Sequence, residues 1–216
     1  MPDLSAIGTS LAIAAILVVL LWFAFGTQRN IRIGNELLRW LQDGLPLIGE
    51  RTTLRWLGSS AVELRIGEAA EPFREATILV VLEPRDVGLL WAWARWRGRR
   101  DFLIVRANLR TAPRYGVDAR DPRGWTGTLE TEADDWRPVD WPDPDVETRA
   151  TAGADPSAVW AAWRAIEGAT GGVWRLTVQP VVPHIELHVR PPSHDVSSRR
   201  LLEPIRELAG SLTRPR

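Results

Sequence analysis

The residues best suited to chemistry in this chain are His184, Glu186 and His188, in the run His-x-Glu-x-His. Alternate side chains of a β-strand point to one side, so an extended segment here stands all three in a row. Two imidazoles and a carboxylate form a donor set that suits zinc or non-haem iron. His194, the third histidine, follows six residues after His188. Metal-dependent catalysis on this strand is therefore one reading. The plainer reading rests on the residues between: Ile185, Leu187 and Val189 are apolar, and a half-buried strand must turn polar residues to its other side. A second run of the same pattern, Val62-Glu63-Leu64-Arg65-Ile66, carries arginine where His188 stands. No metal selects arginine. The plainer reading is preferred, and no catalytic residue, metal or cofactor is assigned.

The second constellation is Leu89-Leu90-Trp91-Ala92-Trp93-Ala94-Arg95-Trp96-Arg97-Gly98-Arg99-Arg100. Tryptophan favours the membrane–water interface, and arginine is drawn to anionic headgroups by about 1 kcal/mol per residue. On a helix, Leu89, Trp93 and Trp96 share one face, with Arg95 and Arg99 off it. Trp91, Trp93, Trp96, Arg97, Arg99 and Arg100 are the candidate membrane-interface or partner-binding residues. The competing expectation is a packing helix with its tryptophans in the core and its arginine stems along the edges. Charge is segregated nearby: residues 85–114 hold eight Arg against two acids, and residues 130–147 hold eight acids against one Arg. Such runs are usually solvated faces. Nucleic acid is not an expected partner, because the chain has no net charge and carries this acidic belt.

Composition removes several chemistries. The chain has no cysteine, which excludes disulfides, a thiol nucleophile and zinc–thiolate sites. All 27 basic residues are arginine, so no lysine can serve a phosphate loop, a Schiff base or a general base. No serine lies in a G-x-S-x-G context. The cluster Gly168-Ala169-Thr170-Gly171-Gly172 falls between a helix and a strand, the reverse of the order that cradles phosphate.

The elements that must position these residues begin with Ile7 to Gly26, twenty positions without a charge. As a helix they extend about 30 Å, the thickness of a bilayer's hydrocarbon core. Eleven are Leu, Ile, Val or Phe, each favouring insertion by roughly 0.3–0.6 kcal/mol near the helix centre. The flank ahead has no basic residue, whereas Arg29, Arg32 and Arg39 follow. That asymmetry argues for an uncleaved anchor over a signal peptide, although Ala24-Phe25-Gly26 resembles a cleavage site. The expected topology is a single pass in the cell membrane, N-terminus outside and the rest cytoplasmic.

Beyond the anchor, Asn35 is read as the N-cap of a helix carrying Leu37, Leu38, Leu41 and Leu45, closed by Pro46. Strands are expected at 53–57, 62–66, 76–82, 102–107, 146–151, 173–178 and 184–189. Helices are expected at 87–97, from Asp155-Pro156 onward, and at 199–212 with a bend or restart at Pro204. Residues 111–147 read as a long loop in which Trp125, Trp136 and Trp141 lie against a folded surface. The order helix, strand, hairpin, strand occurs twice, at 38–66 and 158–189, with Trp40 and Trp160 at matching places. These features predict an α+β chain: an anchor followed by an α/β sandwich of two ferredoxin-like modules on a mainly antiparallel sheet. The expected boundaries are 1–28 for the tail and anchor, 29–122 and 148–216 for the modules, and 123–147 for an acidic linker. The function that follows is non-enzymatic binding. The expected partners are the bilayer through residues 7–26, with anionic headgroups or a protein for the domain.

Overall fold

The computed structural model describes residues 4–126, 135–192 and 196–214; His194 and part of the acidic belt lie outside them. Among the described residues the chain is α+β, with four α-helices and nine strands in one antiparallel sheet. The strands are β1 (Thr52–Trp56), β2 (Ala61–Ile66), β3 (Phe73–Val81), β4 (Phe102–Leu109), β5 (Val117–Arg120), β6 (Arg137–Pro138), β7 (Glu147–Ala150), β8 (Val173–Val178) and β9 (Ile185–Val189). Their order across the sheet is β1-β2-β3-β4-β9-β8-β5-β7-β6. The helices are α1 (Leu4–Gln42), α2 (Gly88–Trp96), α3 (Ser157–Glu167) and α4 (Arg199–Thr213).

Strand alternation sorts the two faces. Ile78, Val105, Leu187, Leu176 and Ala119 point to one side, and α3, α4 and the C-terminal part of α1 cover them to form the main core. The opposite side is largely polar, apart from a small patch of Phe102, Ile104 and Trp174 under Trp125. The segments expected as two modules share one sheet: Val105 of β4 pairs with Leu187 of β9, and β5 lies between β8 and β7. β5 was hidden in the stretch read as a loop. Only Val117 and Ala119 of its four residues face the core, too short an alternation to stand out among Pro, Gly and Asp. Trp125, Trp136 and Trp141 do lie against folded surface: Trp125 on the small patch, Trp136 over Gly116, and Trp141 edge-on to Trp163 at 6.3 Å.

One helix boundary differs from expectation. Asn35 is not a cap; it is exposed in the middle of α1, a single helix of 39 residues and about 58 Å. No proline interrupts that stretch, and two of its three glycines, Gly26 and Gly34, are contact points. A Cβ on Gly34 would meet the Trp56 ring at 2.6 Å, and one on Gly26 would fall on the carbonyl of Arg85. The apolar run thus continues into a helix of the domain core, where Leu38 and Leu41 are buried and Trp40 Nε1 donates to the Val196 carbonyl. At the far end of the chain, α4 passes through Pro204 as one helix.

Candidate functional site

β3 leads through Leu82 into Glu83-Pro84-Arg85, and this turn brings three elements together. Pro84 cannot donate to a ladder, so pairing stops and the chain swings toward α1. Glu83 is 2 % exposed, and its carboxylate accepts from Trp91 Nε1 at 2.6 Å and from Arg95 at 3.0 Å. Its backbone N–H donates to Asp101 at 2.7 Å. Arg85 makes two bonds to Asp101, at 2.9 and 2.7 Å, and a third to Asn30 Oδ1 at 3.1 Å. Asn30, fully buried on α1, closes the ring by donating to the Glu83 carbonyl at 3.0 Å. Buried charge is tolerable only when paired in this way.

Above this polar ring the helices touch directly. Trp22 Nε1 donates to the Arg85 carbonyl at 3.0 Å, and the Trp22 and Trp91 rings lie 6.2 Å apart. Gly26 admits the Arg85 backbone, while Gly88 at the start of α2 faces the Trp22 indole, where a Cβ would come within 2.9 Å. The folded domain therefore grips α1 from Trp22 onward. The apolar run passes into the domain within one unbroken helix.

This grip turns α2 outward. Of its nine residues only Ala94 is buried. Leu89 is 90 % exposed, Trp93 49 % and Trp96 82 %, an i, i+4, i+7 stripe that lies outside the core clusters. The core-packing expectation for these tryptophans is not met. The six candidate residues divide accordingly. Trp93, Trp96 and Arg97 face outward, with the Arg97 guanidinium 4.8 Å from the Trp93 ring. Trp91 turns in toward Glu83; Arg99 reaches the Leu82 carbonyl, and Arg100 folds back on the carbonyls of Arg95 and Arg99.

His184, Glu186 and His188 lie on the polar side of the sheet, and each hydrogen-bonds within the protein, while His188 Nδ1 is buried without a partner among the described residues. His184 Nδ1 accepts the Leu109 N–H at 2.8 Å, which requires a neutral ring at that nitrogen. Burial holds its pKa below 6.5 despite a backbone bond at Pro180. Glu186 lies 2.9 Å from His188 Nε2 and accepts from Arg106 at 2.7 Å. Burial raises the Glu186 pKa, but these hydrogen bonds and charges outweigh it and hold the carboxyl at about 2. Glu63 of β2 makes the same contact two residues along its strand, accepting from Arg65 at 2.9 Å. His188 thus stands beside Glu186 as Arg65 stands beside Glu63. Among the described residues no group of three or more His, Cys, Asp or Glu is arranged to hold a metal.

Sequence reasoning missed Asn30, Glu83, Arg85 and Asp101. The local signal was an acid and a base flanking Pro84 directly after an apolar strand, but their partners are 8 to 55 residues away. No protein-family model matches the chain, and no curated protein is detectably similar to it.

Proposed function

We propose that this chain is a single-pass membrane protein whose α+β domain is a non-enzymatic binding module, seated against the bilayer surface through α2. One observation carries the reading: the exposed stripe of Leu89, Trp93 and Trp96 lies beside the end of an exposed apolar helix, held there by Trp22 and Gly26. A core helix of a soluble protein would bury its apolar window, and this one, with mean hydropathy 2.5, is wholly unburied. A signal sequence would be removed near Ala24-Phe25-Gly26. Here that stretch is part of a continuous helix, and cleavage would discard the Trp22 contact. Arg29 and Arg32 behind the run favour a cytoplasmic domain. At the level where the span ends, an interfacial helix with tryptophan outward and Arg97 beside it is in its preferred environment. The units α1–β1–β2 and α3–β8–β9 both read as ferredoxin-like helix–strand–strand modules, which would make the domain a duplicated scaffold.

The absence of cysteine allows a clean test with the full chain in vesicles. A fluorophore attached at Trp96→Cys should be quenched by spin-labelled lipid and protected from aqueous iodide. The same label at Arg206→Cys on α4 should behave the opposite way. Equal iodide access at both positions would refute a membrane-seated α2 and leave the stripe to a protein partner.

A further inference from the structure

Between α1 and the turn that carries Arg85 lies a groove of about 940 Å³, at the upper end of the roughly 300–1,000 Å³ found for small-ligand sites. Its composition changes along one stripe of α1. Val18, Leu21, Trp22 and Phe25 line the end that faces back along the apolar run, and Arg29 and Arg32 line the other. These positions recur at three- and four-residue spacing, so they share a helix face. The apolar half extends about 10 Å along α1 and the arginine pair about 5 Å. Trp91 and Arg85 form the facing wall. Arg85 is committed to Asp101 and Asn30, whereas Arg29 and Arg32 are exposed and have no partner among the described residues.

A ligand that fits must be apolar at one end and anionic at the other. We propose that the groove holds one anionic phospholipid, its phosphate paired with Arg29 and Arg32 and an acyl chain along Val18, Leu21 and Phe25. Guanidinium forks match phosphate oxygens in geometry as well as charge. The Arg pair stands where the anionic surface of the cytoplasmic leaflet would lie. A second copy of the chain fits the groove less well. A two-fold parallel pair of α1 helices would set Arg29 and Arg32 against themselves, and no acid lies between Asp3 and Glu36 to relieve them. The inference rests on the membrane reading above and adds to it a defined lipid site.

Native mass spectrometry of the full chain in mild detergent, titrated with dioleoyl phosphatidylglycerol or phosphatidylcholine, tests it. One phosphatidylglycerol should be retained at least tenfold better than phosphatidylcholine, and an Arg29→Ala, Arg32→Ala double variant should lose that preference. Leu21→Trp, which fills the apolar end, should weaken binding of either lipid. Equal retention of the two lipids overturns the proposal. So does a lipid-free dimer, or displacement of the lipid by inorganic phosphate alone, which would mark an anion site without an acyl groove. Alkaline carbonate extraction of cells making the full chain separates the two levels of failure. A chain released to the supernatant removes the membrane reading and the lipid site together. A chain that stays in the pellet without lipid preference removes the lipid site only.

Discussion

Helices α2 and α3 both carry tryptophan at helical spacing, yet α3 sinks Trp163 to 1 % exposure while α2 leaves Trp96 at 82 %. Their partners account for the difference. α3 lies across β8 and beside α4, so Val159, Ala162, Trp163 and Ile166 find apolar surface on two sides. α2 stands beyond the end of β3, where the surface beneath it is the charged ring of Glu83, Arg85 and Asp101, whose Glu83 carboxylate accepts from Trp91 and Arg95 of α2. A polar ring of that kind gives α2 an attachment and no core. Apolar periodicity thus marks which face of a helix avoids water, without saying whether protein or lipid covers it.

The sharpest way to break this comparison is to truncate a tryptophan in each helix. Trp163→Ala should cost about 3–5 kcal/mol, as large aromatic deletions in packed cores do. Trp96→Ala should stay within about 0.5 kcal/mol of the parent. Denaturant titration of the full chain in one detergent measures both, and similar losses would mean that Trp96 is a core residue. Next is the ring that holds α2 in place. Glu83→Ala removes the shared acceptor of Trp91 and Arg95 and should cost about 3 kcal/mol, the low end for breaking a buried ion pair. The same change should free α2, read as faster amide exchange over residues 88–96 than over α3.

A smaller effect is expected at the helix contact. Gly26→Ala places a Cβ on the Arg85 carbonyl, and such overpacking typically costs about 1–3 kcal/mol. It should also lengthen the distance between spin labels at Arg32→Cys and Asp86→Cys. An unchanged distance would show that α1 is not gripped there.

The polar side of the sheet offers the mildest test, through pH. His184 has its pKa lowered from 6.5, so the folded state binds fewer protons than the unfolded one. Its contribution is complete above pH 6.5 and declines as pH falls below that value. Glu186, at about 2 against an ordinary 4.5, contributes fully above pH 4.5 and loses its part as pH falls toward 2. Between pH 7 and 5 the denaturation midpoint should fall, and His184→Asn, which keeps an acceptor for the Leu109 N–H, should flatten that slope. A slope left intact by the substitution would remove His184 as its origin.

Much of this architecture was legible residue by residue. The alternation in Val62–Ile66 and Ile185–Val189 located β2 and β9, and the matching Glu63-x-Arg65 and Glu186-x-His188 foretold which side was polar. That pairing also disfavoured a metal; in the fold the Glu186 carboxylate meets His188 and Arg106. β5 was not legible, because two core-facing residues in four make no period. The break expected at Asn35 failed for a different reason. Asparagine caps a helix only where the preceding residues leave it, and Gly26 to Gly34 stay helical because the domain packs on both glycines. The ring of Asn30, Glu83, Arg85 and Asp101 was invisible, since each side chain alone looks like an ordinary surface residue.

By itself the sequence determined the elements whose signals are local: the uncharged apolar run, the alternating strands, the tryptophan stripe of α2 and the chemistries barred by the missing cysteine and lysine. Local signals are set by neighbours within a helical turn or a strand pair. The tertiary structure decided what joins to what. It drew the apolar run and the domain into one helix, set α2 beside its end, and brought Arg29 and Arg32 to the rim of a groove. Those outcomes depend on contacts such as Trp22 with Arg85 and Asn30 with Glu83, 63 and 53 residues apart. Only a folded chain brings such residues together.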